Sequence, residues 1–147
     1  MNEIAVFGEQ LIARWLELQN YELLEQNWRC RWGEIDLIAQ DRATKAIAFT
    51  EVKTRSLFNW DADGLLAVDT AKQHKLIQTA SLFLAQNPHL AELPCRFDVG
   101  LVSYSHYKSP RYNNPPLSQI HHLKIDQPIM IDRYQLTIKD YLEAAFD

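Results

Sequence analysis

Two short breaks separate three strand-like stretches in the first part of this 147-residue chain. The stretches are Tyr21–Arg29, Glu34–Gln40 and Lys45–Thr54, interrupted by Trp32-Gly33 and by the polar residues 41–44. Parallel neighbours need a crossover of about a dozen residues or more, whereas antiparallel neighbours can be joined by a tight turn. We therefore predict an antiparallel meander.

Helical patterns precede and follow this meander. Apolar residues recur every three or four positions from Glu3 to about Leu18, which predicts an amphipathic helix. Glu9 lies at the edge of its apolar stripe, where a carboxylate needs a partner. A second helix is predicted from Val68 to about Gln86, with Gln73 inside its apolar arc, and a further strand over Cys95–Tyr104.

The remainder of the chain carries weaker patterns. Residues 108–116 are rich in Pro and Asn and indicate a loop. We predict an edge strand near Leu117–Ile125 and a short C-terminal helix near Thr137–Phe146. The whole chain, residues 1–147, is then one domain with its core at about 3–104 and a peripheral part at 105–147.

Composition excludes several classes of protein. A formal net charge of −4 gives no overall attraction to nucleic acid, so such a partner would need a local basic patch. Four glycines provide no Gly-rich phosphate loop and no dinucleotide-binding fingerprint, and the two cysteines form no CxxC pair for zinc. The sequence has no membrane span and no secretory signal, so we expect a cytoplasmic protein without a membrane partner.

Two of the predicted strands contain charged residues among their apolar ones: Asp36 in Glu34–Gln40, and Glu51 and Lys53 in Lys45–Thr54. Because side chains alternate along a strand, Glu51 and Lys53 point to one face, and a short connection could bring Asp36 beside them. Such charges should be paired or should bind a cation, since desolvating each alone is costly. Two carboxylates suit Mg²⁺ or Mn²⁺, and Lys53 could then orient an attacking water and offset negative charge during phosphodiester hydrolysis. The structural alternative is a Glu51–Lys53 salt bridge, with Asp36 in an unrelated turn.

These residues lie in two motifs, Gly33–Ala39 and Phe49–Arg55, that together resemble the hallmark of the PD-(D/E)XK nuclease superfamily. The chain more closely resembles the YraN-like family of small bacterial proteins. That resemblance also includes Phe7-Gly8-Glu9, Asn27-Trp28-Arg29, Lys72-Gln73 and Arg96-Phe97-Asp98-Val99. Two positions depart from the superfamily pattern: Ile35 stands where its Pro would be, and Ile77 stands where the exonuclease branch has Tyr.

The resemblance implies an α/β fold of the restriction-endonuclease type, with an α-β-β-β-α-β core and a mixed central sheet flanked by helices. It also implies a Mg²⁺-dependent or Mn²⁺-dependent endonuclease acting on DNA. Asp36, Glu51 and Glu9 would be the metal ligands, and Lys53 would join them as a catalytic residue. Branched or flapped substrates are expected, because a small domain without a reading head selects shape over sequence. A junction-cutting enzyme is expected to be a symmetric homodimer, although no residue demonstrates one.

Polar side chains flank the predicted centre and could form a phosphate-binding rim. They are Arg29, Arg31, Arg55, Lys72, Gln73 and Lys75. Trp32 and Trp60 offer stacking surfaces. Exposed basic residues are usually only solvated, and Gln73 could equally be a core amide bonded to backbone. A different class of function stays open as well: a non-catalytic nucleic-acid-binding or scaffolding protein that keeps the nuclease fold.

Overall fold

The computed structural model describes residues 2–57, 68–107 and 115–146, which form two α-helices, six strands and two short 3-10 turns. The elements, in chain order, are α1 (Glu3–Leu18), β1 (Tyr21–Cys30), β2 (Gly33–Asp41), β3 (Ile47–Ser56), α2 (Thr70–Gln86), β4 (Cys95–His106), β5 (Pro128–Ile131) and β6 (Tyr134–Phe146). The predicted meander of three strands is confirmed. None of the described helices is long and apolar enough to cross a membrane.

The six strands form one mixed sheet in the order β1-β2-β3-β4-β6-β5. Only β3 and β4 are parallel to each other, and α2 lies in the connection between them. The other neighbouring pairs are antiparallel. The predicted fold class, a mixed sheet flanked by helices with an α-β-β-β-α-β core, is confirmed.

The two helices cover opposite faces of the sheet. Leu11 and Leu16 of α1 pack in one buried cluster with Leu37 of β2, and Phe83 of α2 packs in a second cluster with Phe49 of β3. A Cβ atom at Gly8 would collide with the Thr54 hydroxyl, so glycine allows α1 to lie directly against β3. This close approach places Glu9, the next residue, beside the sheet.

The C-terminal predictions are wrong. Thr137–Phe146 is not a helix but most of strand β6, because Leu136 and Ile138 are buried and alternate with less buried polar residues. The segment Leu117–Ile125 is not the edge strand: it contains a single 3-10 turn, and β5 forms that edge. The last two strands therefore extend the sheet that begins in the meander.

A buried polar network joins β6 to β4. The fully buried Asp98 carboxylate accepts hydrogen bonds from Arg96 Nε at 3.0 Å, the Tyr141 hydroxyl at 2.7 Å and the Ala144 amide at 3.0 Å. The Tyr141 oxygen also lies 2.8 Å from the Thr50 hydroxyl. Burial and the charge of Asp98 raise the pKa of Tyr141, so the phenol keeps its proton and donates it. The network is structural: it fixes β6 against β4 through the Asp98 carboxylate.

Removing the Tyr141 hydroxyl should destabilise the protein without changing its shape. The Tyr141→Phe substitution leaves two buried polar partners, Asp98 and Thr50, each short of a hydrogen bond. We expect the free energy of unfolding to fall by about 1–3 kcal/mol, measured by urea denaturation with an unchanged m-value.

Tyr134→Phe is the matched control. Its hydroxyl makes one long, exposed contact, 3.4 Å from Glu3 Oε2, so the loss should be below about 0.5 kcal/mol. Equal losses for the two variants would contradict the assigned role of Tyr141.

Candidate active site

The site forms where β2 separates from β3. The paired residues run from Gln40 opposite Ile47 to Leu37 opposite Thr50, and the ladder then ends. At the next position, Asp36 Oδ2 accepts a hydrogen bond of 2.8 Å from the Val52 amide. The Val52 amide thus donates to a side-chain carboxylate and not to a backbone carbonyl of β2, and this bond fixes Asp36 where the two strands diverge.

Asp36 and Glu51 share a small cavity of about 90 Å³, which we call the acidic cavity. Glu34 of β2 and Lys72 and Leu76 of α2 complete its walls. The Lys72 ammonium forms an ion pair with Glu51 Oε1. The other oxygen, Glu51 Oε2, is buried and has no hydrogen-bond partner among the described residues. The predicted convergence of Asp36 and Glu51 is therefore present in the structure.

Glu9 approaches from the other side of the sheet. Its side chain on α1 is buried, and the Asn27 side-chain amide donates a hydrogen bond to its carboxylate. Its Oε1 atom is buried without a partner in the described part of the chain, and burial raises the pKa of Glu9. Glu9 does not line the acidic cavity. Within residues 2–57, 68–107 and 115–146, no three His, Cys, Asp or Glu side chains are gathered closely enough to hold a metal ion.

The Asp36 carboxyl has an unusual affinity for its proton. Burial is the largest cause, and together with the negative charges of Glu9, Glu51 and Glu34 it raises the pKa of Asp36 to about 7. The Val52 hydrogen bond acts in the opposite direction and is outweighed. Burial and, to a smaller extent, the repulsion from neighbouring carboxylates therefore favour a proton or a cation at Asp36.

Lys53 lies two residues beyond Glu51 on the same face of β3 and is only 8% exposed. Burial lowers the pKa of Lys53, and the Lys72 and Arg55 charges lower it further, while Glu51 opposes them. The Lys53 ammonium therefore holds its proton less tightly than an exposed lysine does. Asp36, Glu51 and Lys53 together combine two carboxylates with one buried ammonium at one end of the sheet.

The predicted rim residues on α2 differ in their contacts. Asp69 caps this helix by accepting a hydrogen bond from the Lys72 amide at 2.8 Å, which places Lys72 in the first turn. Lys75, one turn later, lines a neighbouring cavity. Gln73 Nε2 donates a hydrogen bond to the Val68 carbonyl at 2.7 Å. The Gln73 amide is thus bonded to backbone, which is the alternative given above to a role in phosphate binding.

The three predicted rim arginines are dispersed. Arg29 forms an ion pair with Glu34 at 2.7 Å, which holds it close to the acidic cavity. Arg31 lies over the Trp32 ring, 4.6 Å from the ring centroid. Arg55 donates to the carbonyl of its neighbour Thr54. The second predicted stacking residue, Trp60, lies outside the described residues.

Two further residues, Glu34 and Asn27, contribute to this site without having been predicted from the sequence. Glu34 lines the acidic cavity and adds to its negative charge. Asn27 holds Glu9 from the middle of β1, with φ of 51°, a left-handed conformation that asparagine tolerates better than most residues. The available signal for Asn27 was an asparagine inside a strand, where this residue is depleted.

The family model and the similar proteins all indicate one family. Residues 8–102 match the sequence pattern of the uncharacterised protein family UPF0102. The chain is 45% identical over 155 residues to a UPF0102 protein of Acaryochloris marina, covering 98% of this chain and 90% of the relative. It is 43% identical over 152 residues to a UPF0102 protein of Synechocystis sp., covering 99% of both chains. The matched region contains the acidic cavity, Glu9 and Lys53.

Replacing Asp36 by Asn should stabilise the protein at neutral and alkaline pH in the presence of EDTA. The unfolded chain ionises Asp36 near its ordinary pKa of 3.8, whereas the folded protein retains the proton to about 7. The free energy of unfolding of the wild type therefore falls between these two values, and the loss persists above them. The Asp36→Asn variant lacks this loss, so its advantage should reach the order of a few kcal/mol at pH 8.

Urea denaturation at pH 4, 6 and 8 measures this difference. The advantage of Asp36→Asn should be small at pH 4 and should grow with pH. Glu92→Gln changes an exposed carboxyl and should follow the wild type throughout. If the advantage of Asp36→Asn were smallest at pH 8, the raised pKa of Asp36 would be contradicted.

Proposed function

The chain belongs to the UPF0102 family, and we propose that it is a divalent-metal-dependent nuclease that hydrolyses phosphodiester bonds in DNA. The YraN-like family predicted from the motifs is this one, so that prediction is confirmed. The observation that carries the proposed activity is the acidic cavity, where Asp36 and Glu51 meet with Lys53 two residues further along β3. Two carboxylates and an ammonium at one place suit phosphodiester hydrolysis.

The donor atoms of the cavity fit a hard divalent cation. Glu51 Oε2 is a buried acceptor without a partner among the described residues, and Asp36 lies in a field of like charge that a cation would relieve. Asp36 and Glu51 would hold Mg²⁺ or Mn²⁺. Glu9, the third predicted ligand, supports the site through its negative charge, which raises the pKa of Asp36. When bound, such a cation lowers the pKa of a bound water and polarises the phosphate.

The basic residues of the site would act on the phosphate. The Lys53 ammonium, fixed by its position on β3, would donate hydrogen bonds to an attacking water or a phosphate oxygen and offset negative charge in the transition state. Lys72, which pairs with Glu51 at the cavity wall, lies where a phosphate oxygen could attract it. These two ammonium groups would bind and orient the phosphodiester.

The proposed substrate is DNA with a branched or flapped structure. The whole chain has a net charge of −4, so binding depends on the basic side chains beside the cavity and not on a general positive surface. Phosphate contacts of this kind position a nucleic acid and do not read its sequence. Selection by shape follows from such contacts.

Substitution of the three central residues should abolish cleavage. Asp36→Asn, Glu51→Gln and Lys53→Met each remove a group proposed to hold the metal or stabilise charge, so we expect rates to fall roughly 100-fold or more. The measurement is a gel assay of labelled flaps, junctions, single strands and duplexes with Mg²⁺ or Mn²⁺. Glu92→Gln, an exposed change at the opposite end of the sheet, should cut like the wild type. Equal activity in all four variants would refute the proposal.

Metal binding can be tested without any substrate. Saturating Mg²⁺ or Mn²⁺ should stabilise the wild type by about 1.4 kcal/mol at a tenfold excess over its Kd, and Glu51→Gln should reduce this effect. Calorimetric titration and urea denaturation with and without metal provide two independent readouts. The Glu92→Gln control should bind metal like the wild type.

A non-catalytic scaffolding or nucleic-acid-binding role is the second candidate. The ion pair between Lys72 and Glu51 favours it, because an ammonium group already balances one of the two cavity carboxylates. Such a protein would bind no metal at millimolar concentration and would cut none of the substrates. Calorimetry therefore separates the two candidates before a substrate is known.

A further inference from the structure

A second cavity, of about 180 Å³, lies between the tip of the β1–β2 hairpin and helix α2. Cys30 pairs with Gly33, so Arg31 and Trp32 form a two-residue turn at the hairpin tip. We call this cavity the Trp32 groove. One of its walls comes from Trp32 and Gly33, and the opposite wall comes from Lys75, Leu76 and Thr79. The groove is thus formed by two elements that also build the acidic cavity.

The Trp32 groove and the acidic cavity are adjacent. Glu34, Lys72 and Leu76 line both of them. A ligand in the groove would therefore lie directly beside Asp36 and Glu51, with Lys72 at the boundary. The shared wall residues place the groove next to the proposed chemistry.

The surface of the groove suits a ligand that has an aromatic ring and carries negative charge at the edge of that ring. Its walls are mostly apolar, and the Trp32 indole is 40% exposed although most large apolar side chains are buried. Lys72 and Lys75 lie along one side, and the Arg31 guanidinium lies over the indole. Lys75 makes no ion pair with a carboxylate in the described part of the chain. A nucleobase attached to phosphates has this combination of flat apolar faces and negative charge.

The backbone at the hairpin tip requires a glycine in the groove wall. Gly33 has φ of +147°, a conformation that other residues rarely adopt. A Cβ atom at this position would project to 3.6 Å from the Thr79 hydroxyl on the opposite wall. Glycine thus allows the hairpin tip to turn without a side chain entering the groove.

We propose that the Trp32 groove binds the base of an unpaired DNA nucleotide next to the phosphodiester held at the acidic cavity. In duplex DNA the faces of each base are stacked on their neighbours, so an indole can stack only on a base that is unpaired or displaced. The proposal rests on the proposed nuclease function and specifies its substrate: DNA with a single-stranded nucleotide beside the cleaved bond. The interior of a continuous duplex lacks this contact, and a blunt duplex offers it only at its terminal base pairs.

Binding in EDTA tests the groove independently of cleavage. Fluorescence anisotropy of a labelled 12-nucleotide single strand and of the blunt duplex of the same sequence should give tighter binding to the single strand. Trp32→Ala should weaken single-strand binding roughly 5- to 150-fold, the range for loss of one base–aromatic stack, and change duplex binding less than about twofold. Trp32→Phe keeps a ring and should recover part of the affinity.

Ile125→Ala is the matched control, because Ile125 is an exposed apolar residue, 38% exposed, that does not line the groove. It should bind both DNAs like the wild type, and circular dichroism should show that all variants are folded. Equal binding of Trp32→Ala and wild type to the single strand, or a wild-type preference for duplex, would overturn the proposal. Trp32-dependent binding without cleavage in Mg²⁺ would refute the nuclease function alone, whereas cleavage that is indifferent to Trp32 would refute the groove alone.

Discussion

One hydrogen bond, from the Val52 amide to the Asp36 carboxylate, determines how this sheet opens. It replaces the backbone pairing of β2 and β3 after Leu37 and Thr50, while β3 continues beside β4 through Val52 and beyond. β2, the strand that separates from β3, has the carboxyl group of Asp36 at the point of separation. The acidic cavity lies at this separation, with Asp36 on β2, Glu51 on β3 and Lys72 on α2 as its charged walls.

The two helices supply the site from opposite faces of the sheet. Helix α2 packs on the face that contains Phe49 and brings Lys72 to Glu51, whereas α1 packs on the face that contains Leu37 and brings Glu9. The Glu9 charge reaches Asp36 at the opening between the strands, although Glu9 does not line the cavity. Glu9, Asp36 and Glu51 were predicted as one cluster. They interact electrostatically, but only Asp36 and Glu51 line the acidic cavity, whereas Glu9 approaches from the α1 face of the sheet.

The sequence determined the early elements more securely than the late ones. β2 and β3 are short apolar runs bounded by turn residues, a pattern typical of strands that are buried on both faces. Glu9 at the edge of an apolar stripe is a local property of a helix. The error at Thr137–Phe146 arose because residues 142–145, Leu-Glu-Ala-Ala, have high helix propensity, whereas Leu136 and Ile138 carry the strand period. The Lys72–Glu51 ion pair and the Trp32 groove depend on where α2 packs, which no local pattern specifies. Asn27 was missed because its left-handed backbone is a tertiary outcome.

The position of β6 also affects how the protein is made. It is the last described strand in the chain, yet it lies between β4 and β5 and covers one side of β4. During synthesis, the first four strands emerge from the ribosome before β6 is available, so β4 has an unpaired edge and Asp98 lacks its Tyr141 and Ala144 partners. The residues of the proposed reactive centre are therefore translated before the strand that completes the sheet, and the Asp98 carboxylate gains its Tyr141 and Ala144 hydrogen bonds only when β6 is in place.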